Sequence, residues 1–195
     1  MGPGMGKGRL EAFSDGVVAI LITIMVLEMK VPHGADLAAL RPVLPVFGSY
    51  VLSFVYIGIY WNNHHHMLHA VKHVNGPILW ANLHLLFWLS LIPFATGWMG
   101  ENRFAPTPVA VYGVALIMPA LAYTLLCRLL IRRHGPDSPL AQALGSDVKG
   151  KVSILAYAAG ILAATRMPRL SLALYVIVAL MWFVPDRRIE RVLET

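Results

Sequence analysis

The sequence predicts an all-α integral membrane protein, a single domain over 1–195 with six transmembrane helices. Three observations predict it. Hydrophobic residues make up 57% of the chain and charged residues 13%, whereas a soluble domain carries ~25% charge. Mean hydropathy is +0.64. The apolar residues fall in six runs, and the charges collect between them. A hydrocarbon core of ~30 Å needs ~20 apolar helical residues, so these runs read as spans.

The opening MGPGMGKG is Gly-rich and lacks the apolar core of a cleavable signal, so 1–8 reads as a flexible tail. Gly6 stands where a myristoylation pattern needs Ser or Thr. The first helix is expected at about 9–29, RLEAFSDGVVAILITIMVLEM. Lys30-Val31-Pro32 ends it, and Asp36 is placed to cap a short segment starting at Leu37. The second is expected at about 46–67, running into the Trp61-Asn62-Asn63-His64-His65-His66 stretch. Asn75-Gly76-Pro77 makes a turn, and the third follows over about 77–99 with proline at a first helical position. Trp80 and Trp98 lie ~27 Å apart along a helix of 1.5 Å rise, the separation of two interfacial aromatic belts.

The fourth helix is expected at about 107–130, with Pro119 a kink. The polar linker 132–146 has room for a short helix over 139–144. The fifth is expected at about 147–165 and the sixth at about 170–184, separated by Arg166-Met167-Pro168-Arg169. This close pair also fits one re-entrant hairpin. A charged tail, 187–195, completes the chain.

The net charge is +6. In a soluble chain that balance would suggest nucleic acid. Here the cations flank apolar runs, so they report topology and no nucleic-acid partner is expected. With six spans, both termini share one side, and that side holds 11 of the 16 Lys and Arg, from Lys7 and Arg9 to Arg187, Arg188 and Arg191. The positive-inside rule makes it cytoplasmic, in the inner (plasma) membrane. Arg132 and Arg133 set topology and meet membrane lipid. The lone Cys127 excludes an internal disulfide framework and reads as a small buried hydrophobe.

Ionisable groups inside spans are expensive and point to function. Asp15 lies six residues into the first helix beside Ser14. At 100° per residue, Arg9, Phe13, Gly16, Ile20, Ile24 and Leu27 fall near one stripe, with Thr23 next to it. That stripe fits ordinary helix packing. It fits equally a hydrophobic constriction, which gates by dewetting, with Thr23 replacing part of an ion's hydration. Glu28, at the outer end, reads as an interfacial acid or as a cation-attracting ring at a pore entrance. His65, His69 and His73 share a helix face, but they form a single cluster and no structural metal ligand is expected among them. Asn82 and His84 are further polar groups in the third span, suited to interhelical hydrogen bonds. Gly-rich phosphate loops, CxxC pairs and a nucleophile elbow are all missing, so an enzyme is not expected.

The first-helix run Arg9-x-x-x-Phe13-Ser14-Asp15, continued to Met29, resembles the prokaryotic branch of the transmembrane protein 175 family of lysosomal and bacterial potassium channels. Tyr60-Trp61-Asn62-Asn63-His64-His65 extends the resemblance to the second helix. It implies a homotetramer with first helices lining a central pore, passive potassium conduction and no cofactor beyond the permeating cation. By position it places the constriction and selectivity rings on Ile20, Thr23, Ile24 and Leu27. It also implies a structural polar network of Arg9, Phe13, Ser14 and Asp15 with Trp61, His64 or His65, and Asn82. Selectivity over sodium is expected to be modest, because an apolar ring supplies few fixed dipoles. The alternative is a proton- or cation-coupled carrier, for which Pro93 and Pro119 are the only mid-span breaks.

Overall fold

The computed structural model describes residues 6–183. The expectations for the first five residues, for residue 184 of the sixth helix and for the charged tail 187–195 lie outside the described residues. Every regular element among the described residues is helical.

Helix α1 spans Lys7–Leu27. It takes in Lys7 and Gly8, which sequence reasoning put in the tail. Gly6 is extended, and Lys7 meets Glu11 one turn on at 3.7 Å, so the first turn is already set. A short 3-10 turn, Leu37–Leu40, follows, its Ala39 amide bonded to the Asp36 carboxylate at 3.0 Å. Helix α2 covers Leu44–His69, so the histidine run is helical throughout.

The expected third helix is two. Helix α3 (Gly76–Ser90) and α4 (Ile92–Glu101) meet at Leu91. Pro93 has no N–H to donate back along the helix, and its ring disfavours helical geometry just before it. Leu91 accordingly bonds its amide to the carbonyl of Trp88, a tighter turn, and regular bonding resumes from Ala95. Helix α5 (Pro106–His134) runs through the buried Pro119 and stops at Gly135, whose φ of +95° favours glycine. The short helix α6 (Pro139–Leu144) lies where the linker sequence allowed one. Helices α7 (Val148–Ala164) and α8 (Pro168–Phe183) complete the described bundle.

Among the described residues, four stretches are long and apolar enough to cross a bilayer: α1, α2, α3 with α4, and α5. Helices α7 and α8, at 17 and 16 described residues, are shorter than a ~20-residue span. Helix α5 is the hub, packed on α3, α4, α7 and α8, while α1 lies against α2, α3 and α4. Much of the outer surface is apolar, including Leu155, Leu162, Ile177 and Leu180. A soluble protein rarely exposes so much contiguous apolar area, whereas a lipid-facing surface requires it.

Tyr175 joins α8 to its neighbours. Its hydroxyl donates to the Val109 carbonyl on α5 at 3.4 Å, and its own carbonyl accepts from the Tyr56 hydroxyl on α2. Room for the ring exists because two facing residues lack side chains. A Cβ on Gly160 would come within 2.5 Å of a Tyr175 ring carbon, and one on Gly113 would strike its hydroxyl. Ser171 closes the α7–α8 hairpin by donating to the Gly160 carbonyl at 2.6 Å. Gly160→Val is therefore expected to destabilise the fold by about 1–3 kcal/mol, the usual cost of overpacking. A thermal melt of the detergent-purified protein checks this.

Candidate functional site

Helix α1 has two unlike faces. Leu10, Ser14, Val18, Leu21 and Met25 recur every three or four residues and are buried against the bundle. Phe13, Ile20, Ile24 and Leu27 lie on a neighbouring face, turned ~100° away, and are exposed by 53%, 56%, 40% and 79%. The second face is left exposed among the described residues. Thr23 sits on it, its hydroxyl donating to the carbonyls of Ile20 at 2.9 Å and Ala19 at 3.1 Å. With the proton directed back along the helix, the oxygen lone pairs face outward.

On the buried face a chain of hydrogen bonds ties three helices together. His64 on α2 meets the Asn82 carbonyl oxygen on α3 at 2.7 Å. The Asn82 amide group donates to the Ser14 hydroxyl on α1 at 2.9 Å, and Ser14 donates to its own Leu10 carbonyl at 2.9 Å. All three side chains are buried. Because the amide oxygen only accepts, the histidine proton belongs on Nε2. No buried side-chain polar atom among the described residues lacks a partner, so the network is complete. That matters in a bilayer, where water cannot compensate a missing partner.

One residue along, Asp15 accepts from the Trp61 indole N–H at 3.0 Å in a more exposed position. The structure thus brings Ser14, Asp15, Trp61, His64 and Asn82 together. It leaves others out. His65 is exposed and stacks on Trp61 and His69, with ring centres 6.2 and 6.1 Å apart. Consecutive residues point ~100° apart on a helix, so only His64 of the pair faces α3. Arg9 is exposed and its side chain makes no hydrogen bond or ion pair among the described residues. Phe13 faces outward, away from the network.

Glu28 is exposed at the end of α1, and its side chain lies beside Gly97 on α4. The neighbouring Lys30 takes the ion pair instead, with Glu101 at 3.1 Å. Among the described residues no group of three or more His, Cys, Asp or Glu is placed to hold a metal. His84 bonds the Trp88 indole at 2.8 Å within α3.

A second polar cluster was missed in the sequence. Ser53 on α2 meets Thr96 on α4 at 2.6 Å and Tyr112 on α5 at 2.9 Å, all buried. Hydroxyls in apolar runs were the available signal, but each also bonds comfortably to its own helix, as Thr96 does to Ile92 at 2.7 Å.

A family model described as the endosomal/lysosomal potassium channel TMEM175 matches residues 9–93. A potassium channel of Chryseobacterium sp. is 57% identical over 190 residues, covering 97% of this chain and 99% of the relative. A potassium channel of Streptomyces collinus is 38% identical over 128 residues, 62% of each chain. The crystal structure of a lysosomal potassium-selective channel TMEM175 homolog from Chamaesiphon minutus superposes with a TM-score of 0.78 at 26% identity, covering 92% of this chain and 97% of that one.

Asn82→Leu keeps the shape of the junction but removes the partner of His64 and the donor to Ser14, whose own bond to the Leu10 carbonyl remains. A buried group without its partner costs about 1–3 kcal/mol, so this variant is expected to melt well below Trp61→Phe, whose lost bond is partly solvated. Parallel thermal melts of the two variants test the ranking.

Proposed function

We infer, from the premise that this chain belongs to the TMEM175 channel family, that it conducts potassium passively through a pore lined by α1. Its relatives are ion channels, and the function is a potassium-permeable cation channel, not an enzyme. The observation that carries the mechanism is the exposed apolar stripe of Ile20, Ile24 and Leu27 on a helix whose neighbouring face is locked.

In this reading the subunits form a homotetramer of six-span chains, with α7 and α8 as the fifth and sixth spans. Four copies of the stripe surround an axis. Exposed isoleucine and leucine cannot hydrogen-bond water, so a ring of them narrow enough sheds water and closes the path electrically. Thr23 sets a layer of outward lone pairs between the Ile20 and Leu27 rings, offering a permeating cation partial replacement for hydration. Glu28, in no ion pair among the described residues, adds a ring of negative charge at the outer mouth. The excess of Lys and Arg on one side supports cytoplasmic termini, with the protein in the plasma membrane.

The carrier alternative requires a helix broken around an ion site. The break at Leu91 is confined to a single residue, with regular helix on either side of it.

Ile20→Asn is expected to wet the narrowest ring and raise potassium flux about tenfold, the effect of a barrier lower by ~1.4 kcal/mol. Reversal potentials across potassium and sodium gradients in liposomes read the same variant's ion preference. Unchanged flux and preference would remove Ile20 from the path, and a slow saturating turnover of fixed stoichiometry would indicate a carrier.

A further inference from the structure

The outer surface carries a groove between α2 and α8. Phe54, Val55, Gly58 and Ile59 form one wall and Trp182 with Phe183 the other, around a space of about 240 Å³. A side chain placed on Gly58 would meet nothing within 4 Å, so a notch stands open at mid-groove. A second, deeper cavity of about 70 Å³ adjoins it and shares Ile59, Asn63 and Trp182 as walls. Its polar rim includes Asn63, Lys149 and Ser153.

Trp182 stands between the two spaces in a defined position. Its indole N–H donates to Ser153 at 2.8 Å, and the Lys149 ammonium lies 5.6 Å from its ring centre. The groove therefore has polarity along its length. It begins apolar at Phe54 and ends, nine residues on, at Asn63, with Lys149 lining the adjoining cavity across Trp182. At 1.5 Å per residue this is ~13 Å, close to the ~15 Å of one leaflet's hydrocarbon.

We propose that this groove binds a phospholipid with an anionic head, one acyl chain lying against Gly58 and the phosphodiester beside Lys149. Two features select this occupant. The groove matches one leaflet in length. The cation beside its polar end is followed by Lys151 on the same helix. Asp147 also lines the deeper cavity, but its carboxylate accepts from the Gly150 amide at 3.2 Å and caps α7. Placement in the cytoplasmic leaflet rests on the orientation proposed above; binding itself does not.

Native mass spectrometry of the purified protein, titrated with phosphatidylglycerol and with phosphatidylcholine, tests this. Wild type is expected to retain phosphatidylglycerol preferentially. Lys149→Gln is expected to lower that preference about fivefold, the attraction of one interfacial cation for an anionic head. Gly58→Phe fills the notch and is expected to lose both lipids while eluting at the wild-type size. Equal retention of the two lipids by wild type and Lys149→Gln overturns the proposal, whether or not Gly58→Phe folds. So does a Gly58→Phe protein that keeps its lipid but loses subunit assembly, since the groove would then be a contact between copies. Potassium flux measured on the same samples separates failure of the lipid site from failure of the channel reading.

Discussion

A buried carboxamide must find all its partners inside a bilayer, and Asn82 finds them on two other helices at once. That requirement sets how α1 is turned about its own axis. The Ser14 hydroxyl has to face α3 to receive the Asn82 N–H at 2.9 Å. Once it does, helical geometry leaves no freedom for the neighbouring face: Ile20, Ile24 and Leu27 point away from the subunit. A rotation of one residue, ~100°, would bury the stripe and expose the hydroxyl. The polar lock and the apolar face are thus two consequences of one rotational setting.

The other side of the subunit is organised by close packing instead of hydrogen bonds to amides. Tyr175 occupies space that Gly113 and Gly160 leave empty, and its hydroxyl and carbonyl bond α5 and α2. Ser53, Thr96 and Tyr112 repeat the principle between α2, α4 and α5. These contacts connect α5, the hub, to the helices that hold α1. They form no part of the exposed stripe of α1, yet they fix the platform against which α1 is turned.

Much of this was legible in the sequence for a simple reason: a polar residue in an apolar span is conspicuous. Ser14, Asp15, Trp61 and Asn82 stood out in that way, and the structure brings them together. The histidine was harder. His64, His65 and His66 together sweep ~200° of helix surface, so the sequence does not tell which of them faces α3. Only the packed bundle selects His64. The tyrosine cluster left no pattern, because tyrosine counts as apolar in a span and as polar only when its hydroxyl is placed. Pro93 marked the break between α3 and α4, but the interruption spans a single residue, Leu91, which no hydropathy window resolves.

The ion pair between Lys30 and Glu101, seen beside the C-terminal end of α1, has a mechanical meaning. It joins the segment after α1 to the end of α4 through two exposed side chains, and exposed pairs contribute ~1 kcal/mol or less. The N-terminal half is held by the buried junction of Ser14, Asn82 and His64. Helix α1 is therefore a lever with a stiff hinge near Ser14 and a slack mooring beyond Leu27. Ile20 lies ~9 Å from that hinge and Leu27 ~20 Å. Any small tilt displaces Leu27 about twice as far as Ile20. Displacement is graded along the stripe, least at Ile20 and greatest at Leu27.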